Sequence, residues 1–114
     1  MAKRKIPEIL TEYEQGQLIN IFNTRYFNSF RNRTMIKLFL ASGLRLSEMI
    51  DLRWKDINLM TGQLKVVEGK GSKDRILWIS DSVIEELRNW KEKQSEKLGI
   101  CSYVFTTNSK NKLD

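Results

Sequence analysis

Arg45 falls in the run Leu40-Ala-Ser-Gly-Leu-Arg-Leu-Ser-Glu48, between a segment patterned as an apolar helix and another patterned as a short one. A guanidinium whose backbone is anchored on both sides presents a fixed fork of N–H donors, the shape that matches a phosphate or a carboxylate. Glu48, three residues on, can reach back to hold that guanidinium; it fits equally well as an exposed acid in a first helical turn, favoured by the helix dipole. Further along, Val67-Glu-Gly-Lys-Gly-Ser-Lys-Asp-Arg75 sets Lys70 between two glycines, Lys73 near the same tip, and Arg75 at the head of the following segment. Glycines at such a tip allow a backbone to approach a phosphodiester closely. Ordinary readings compete throughout. Arg45 can cap a helix or pair with Glu48, the lysines can be solvated, and Arg75 can pack along a sheet.

The elements that must position these groups are legible from periodicity. Thr11-Glu-Tyr-Glu14 fits a capping box, and a helix is expected to about residue 23 with Leu18, Ile19 and Phe22 inward. A second helix is expected over 30–42, with Arg31 and Arg33 exposed and its later part buried, stopped by Gly43. A short helix over 47–52, capped by Ser47, then buries Leu46, Met49 and Ile50 on one face. Thr61-Gly62 marks a turn, and strands over 63–68 and 74–79 form a hairpin around the glycine-rich connection. Ser82-Val-Ile-Glu85 repeats the capping-box pattern ahead of a helix to about residue 98, stopped by Gly99, with Asp81, Glu85 and Glu86 early and lysines late. Residues 103–105 fit a short strand, and 106–114 are polar without periodicity. Trp54 and Trp78, among apolar neighbours, are expected in the core or packed on the sheet, and Cys101 as a small buried hydrophobe.

At 114 residues the chain is one domain at most, with ordinary globular composition. Its net charge of +6 and pI near 9.6 suit a polyanionic partner such as nucleic acid, or equally a solvated lysine-rich surface. There is no histidine, which excludes histidine metal sites, Ser-His-Asp or Cys-His nucleophile pairs and any histidine acid or base within these residues. No apolar run approaches bilayer-spanning length and no signal-peptide core is present. A lone cysteine points to a reducing, intracellular compartment.

The stretch Ala41-Ser-Gly-Leu-Arg-Leu-Ser-Glu-Met-Ile-Asp-Leu-Arg-Trp-Lys-Asp-Ile57 resembles the first arginine motif of the tyrosine recombinases, the phage-integrase family, and Val67–Arg75 resembles the family's lysine hairpin. The likeness is sharp over 36–79 and weaker, but in register, elsewhere; two motifs in order and at the right spacing are a specific signal. The resemblance implies an α+β fold, mainly helical with a small antiparallel sheet, and residues 1–114 as part of a recombinase catalytic domain. It implies Arg45 and Lys70 as catalytic residues, Glu48 as their support, and Lys73 and Arg75 as DNA-binding, with Lys73 a rival to Lys70 as the acid. It implies a site-specific recombinase that cleaves and rejoins duplex DNA at an att-type site through a 3′-phosphotyrosyl link. Neither metal nor other cofactor is called for; other recombinase protomers are expected as partners, a membrane is not, and the setting is the cytoplasm of a bacterium or of a phage host. The family's His-x-x-Arg element, its nucleophilic tyrosine and its separate DNA-clamping domain have no counterpart here, so these residues alone are expected to be inactive.

Two other readings remain. A winged helix-turn-helix would use the short helix in the major groove and the hairpin as its wing, although Glu48 and Asp51 make that helix acidic. A protein-interaction domain with an incidental basic surface is the third.

Overall fold

The computed structural model describes residues 11–67 and 74–113. Helix α1 (Glu12–Asn20) leads into α2 (Phe27–Ser42) and the short α3 (Leu46–Ile50). A 3-10 turn (Trp54–Asp56), the hairpin β1 (Gln63–Val66) and β2 (Arg75–Trp78), and the long α4 (Asp81–Leu98) follow. The protein is therefore α+β, mainly helical with a two-stranded antiparallel sheet.

The capping box on α1 forms as expected: Glu14 N–H donates to Thr11 Oγ1 and Thr11 N–H donates to Glu14 Oε1, both at 3.0 Å. The helix stops at Asn20 rather than near residue 23. Asn23 takes a turn of its own, its Oδ1 accepting from the Arg25 N–H and its N–H donating to Ser29 Oγ. A short polar side chain that satisfies nearby backbone groups favours such a turn over helix. Helix α2 consequently starts at Phe27, ahead of the expected position. Its early arginines are half-buried, not exposed: Arg31 donates to the Thr106 carbonyl, and Arg33 lies 3.8 Å from Glu86.

The core forms where α4 crosses α2. Trp90 is fully buried, its ring 5.0 Å from Phe27, 5.9 Å from Phe30 and 6.5 Å from Phe105. Its indole N–H donates to the Val104 carbonyl at 2.7 Å, as a buried donor must. Leu38, Leu44, Leu64, Leu87 and Val104 complete the packing. Helix α4 begins two residues earlier than its Ser82 box suggested, with Ser80 at the N-cap, so Ser82 and Glu85 do not cap it. Glu86, read from the sequence as one of the early acids favoured by the helix dipole, is buried. Its Oε2 accepts from Thr34 Oγ1 at 3.0 Å, and Lys37 and Arg33 approach its other oxygen, which joins α4 to α2.

The hairpin pairs Leu64 with Leu77 and Val66 with Arg75. Leu64 and Val66 face the core, as period-two alternation requires. Trp78 lies on the opposite face and is 67% exposed, against the expectation that it packs; Trp54 is half-buried, its indole donating to Gln94 Oε1 at 2.9 Å. At Gly62 φ is +85°, and a Cβ there would lie 2.6 Å from the Ile79 carbonyl oxygen, so only glycine fits the turn. Residues 102–104 run beside 52–54 through the Arg53–Tyr103 bridge, with Val104 N–H on the Leu52 carbonyl. The segment after Phe105 is ordered by a Thr106–Lys112 bridge and by Thr107 Oγ1, which accepts from the N–H groups of Ser109 and Asn111. Cys101 is a buried free thiol, as expected.

Candidate active site

The junction that carries Arg45 is held bond by bond. Gly43 ends α2 at φ +71°, its N–H donating to the Phe39 carbonyl at 2.9 Å. Ser42 Oγ donates back to the Leu38 carbonyl and accepts from the Leu44 N–H at 3.2 Å. Leu44, 1% exposed, plugs the core. Arg45 N–H then donates to Glu48 Oε1 at 2.9 Å. Three successive backbone donors thus have partners, and one side chain is buried between them. The chain has little freedom to move while the Arg45 side chain projects to solvent.

Arg45, not Ser47, occupies the N-cap of α3. A guanidinium holds only donors and cannot cap a helix start, so the terminus is closed from the other side, by Glu48 accepting from Arg45. This shift by two positions turns Leu46 outward, 59% exposed at the rim of an apolar groove with Phe22, Met35 and Phe39. Only Met49 of the expected inward face is fully buried.

Glu48 does not grip the Arg45 guanidinium. It binds Arg75: Nη1 donates to Oε2 at 3.1 Å and Nη2 to Oε1 at 3.4 Å. The carboxylate is 15% exposed and the guanidinium 42%. Burial by itself would raise the Glu48 carboxyl. The hydrogen bond from Arg75, the Arg45 backbone N–H and the charges of both arginines outweigh it and hold the group below its ordinary value. Arg75 thus heads β2, as expected, with a carboxylate partner that spacing alone did not reveal. Lys65 and Asp74 pair across the outer face of the hairpin at 3.5 Å. A cleft of about 420 Å³ opens between α3 and the sheet, lined by Glu48, Asp51, Arg53 and Lys65 among others. No cluster of metal-binding side chains occurs among the described residues. Lys70 and Lys73 lie outside the described residues, as do the basic groups Lys3, Arg4 and Lys5 of the N-terminal tail.

A helix-turn-helix reader needs a recognition helix, whereas α3 has five residues and is followed directly by Asp51. The chain matches the Phage integrase family over residues 8–114. It belongs to that family, the tyrosine recombinases. It is 42% identical over 89 residues to the tyrosine recombinase XerD of Staphylococcus saprophyticus, covering 78% of this chain and 30% of that protein. It is 38% identical over 109 residues to a tyrosine recombinase of Thermosipho africanus, covering 96% and 36%. To XerC of Xanthomonas axonopodis pv. citri it is 40% identical over 104 residues, covering 91% and 33%. The chain therefore spans about a third of the length of these relatives. The fold matches the crystal structure of XerA recombinase at TM-score 0.78 and 24% identity, over 92% of this chain and 37% of that one. It matches XerH bound to its difH substrate at TM-score 0.72 and 24% identity, over 92% and 32%.

Proposed function

We propose that this chain is the part of a site-specific DNA recombinase catalytic domain that supplies its first arginine and its lysine. In the reaction, a tyrosine oxygen attacks the scissile phosphorus. The P–O5′ bond breaks, a 3′-phosphotyrosyl link forms, and a 5′ hydroxyl leaves. Attack by a second strand's 5′ hydroxyl reverses the step, and the covalent link conserves the phosphodiester energy so that no nucleotide cofactor is consumed. Arg45 binds the non-bridging oxygens, where negative charge builds in the transition state. Lys70 delivers a proton to the departing O5′. Lys73 contacts the DNA backbone, and Arg75, with a carboxylate already on its fork, adds positive charge nearby. The substrate is duplex DNA at a recombination site, worked on inside a cell by several protomers.

The observation that carries this reading is the family match over residues 8–114; it is supported by Arg45 standing on a junction where the N–H groups of Gly43, Leu44 and Arg45 all have partners. A fork that needs no reordering when phosphate arrives is what electrostatic catalysis requires.

Two experiments test it. Residues 1–114 alone, incubated with a nicked suicide substrate, are expected to leave no covalent protein–DNA adduct on a denaturing gel; an adduct would mean that Tyr13, Tyr26 or Tyr103 serves as nucleophile. In a chimera, residues 8–114 replace the matching segment of the Thermosipho africanus recombinase. There Lys70→Ala slows cleavage of ordinary DNA but not of a 5′-bridging phosphorothiolate, whose thiolate leaves without a proton. Arg45→Ala is slow on both, because equatorial charge builds whichever atom leaves. Rescue of Lys73→Ala instead would make Lys73 the acid.

A further inference from the structure

We infer that Arg53 and Lys112, gathered on the ring of Tyr103, form a second contact for the phosphate backbone of duplex DNA, one that Asp51 occupies until DNA arrives. This rests on the reading of duplex DNA as the substrate.

The two cations come from separate stretches, each fixed by backbone hydrogen bonds. Residues 52–54 run beside 102–104: Trp54 N–H donates to the Ser102 carbonyl and Val104 N–H to the Leu52 carbonyl, each at 3.0 Å. Arg53 therefore stands across a bridge from Tyr103. Its guanidinium carbon lies 5.1 Å from the centre of the Tyr103 ring, and Nη2 donates to the phenol oxygen at 3.3 Å. Lys112 returns to the same ring through the turn after Thr106. Thr107 N–H donates to the Asn111 carbonyl at 2.8 Å, Lys110 N–H donates to the Thr107 carbonyl at 3.1 Å, and Thr106 bridges Lys112. The Lys112 ammonium ends 5.6 Å from the ring centre. A ring face attracts cations, so one tyrosine holds together two groups that repel each other. A single carboxylate stands with them: Asp51 Oδ1 lies 2.7 Å from Lys112 Nζ. Two positive charges and one negative leave the cluster cationic. The hydrogen bond to Asp51 raises the Lys112 ammonium above its ordinary value, and the carboxylate charge adds to it, while the charge of Arg53 opposes the rise.

The Asp51 side chain is 64% exposed and that of Lys112 44%. A pair this open holds little and gives way to a competing anion. A phosphodiester brings the missing charge and two non-bridging oxygens, one for each cation. Its place along the DNA also fits. Arg45 caps the start of α3 and Asp51 its end, six residues on, or about 9 Å along the helix axis. That is roughly two to three base steps of a duplex, so a backbone held at Arg45 is within reach of the pair.

The test measures binding of the 114-residue chain to a duplex of arbitrary sequence, by anisotropy over a salt series. Arg53→Gln and Lys112→Gln are each expected to lower the slope of log K against log salt by about 1. Lys97→Gln removes the same charge beside Phe27, at the opposite end of α2 from Arg45, and is expected to leave the slope nearly unchanged. Asp51→Asn frees the cations and is expected to tighten binding severalfold. All four side chains are exposed, so the variants are expected to melt with the parent. An unchanged slope in Arg53→Gln and Lys112→Gln overturns the inference. An equal loss in Lys97→Gln does so too, because net charge alone would then account for it. Weaker binding by Asp51→Asn, or a parent chain that binds no DNA at low salt, overturns it as well. Cleavage by the chimera decides the recombinase reading separately. An inert chimera beside the expected slopes leaves the phosphate contact standing, and an active chimera beside unchanged slopes removes the contact alone.

Discussion

The Cβ that an alanine would bring to position 62 lies 2.6 Å from the Ile79 carbonyl oxygen and 3.0 Å from the Ile84 side chain, on a backbone at φ +85°. Strain and clash coincide there, and the Gly62 carbonyl is also the acceptor for the Ile79 N–H. Gly62→Ala is expected to cost more than about 2 kcal/mol, read as a lower urea midpoint at unchanged m-value. At Gly43 nothing crowds a Cβ, so Gly43→Ala bears only the left-handed strain, on the order of 1 kcal/mol. Glu48 yields a pH prediction. Its carboxyl sits below the ordinary 4.5 in the folded chain. Between that lowered value and 4.5 the unfolded state binds more protons. The group's contribution is therefore fully present above about pH 4.5 and disappears as pH falls through the folded value. Urea midpoints measured down that range are expected to fall less steeply for Glu48→Gln than for the parent; parallel slopes would mean the carboxylate contributes nothing.

Among the elements, α4 carries the most packing. Its buried line of Val83, Ile84, Leu87, Trp90 and Gln94 lies against α2 and the 103–106 segment. Trp90→Ala empties the centre of that contact and is expected to cost about 3–5 kcal/mol. Trp90→Phe keeps most of the volume but loses the bond to the Val104 carbonyl, which still accepts from Gln94 Nε2 at 3.1 Å. Its cost is expected near 1–2 kcal/mol. Thermal denaturation of the pair separates packing from hydrogen bonding, and equal losses would place the whole effect in the bond. The short α3 depends on its neighbours instead, since five residues close too few helical bonds to persist alone. Leu44 in the core and Glu48 on Arg75 hold its start.

For the whole molecule, a charge of +6 on 114 residues predicts weak, non-specific DNA binding by this chain. A dissociation constant on the order of 10⁻⁴–10⁻⁶ M is expected, weakening steeply with salt as counterions return to the phosphates. Anisotropy titrations over a salt series with two unrelated duplexes check this. Tight binding with a flat salt response, or a strong preference for one duplex, would contradict it. Neutralising Lys3, Arg4 and Lys5 together is expected to reduce the salt slope by roughly 2–3.

The sequence by itself determined the family, the hairpin, the two main helices and the position of Arg45 after Gly43, because these rest on local signals: apolar period, a glycine with positive φ, a capping box. What depended on tertiary contact was not legible. Glu86 reads only as an early acid favoured by the helix dipole, and the approach of α2, with Thr34, Lys37 and Arg33, makes its burial tolerable. Trp78 has apolar neighbours in sequence, yet strand alternation and the register opposite Gln63 put it on the open face. Glu48 is three residues from Arg45 and 27 from Arg75. Spacing favours the near guanidinium. The fold gives the carboxylate to the far one, because Arg45 at the N-cap turns its side chain out and presents only its N–H, while the hairpin delivers the Arg75 fork to both oxygens.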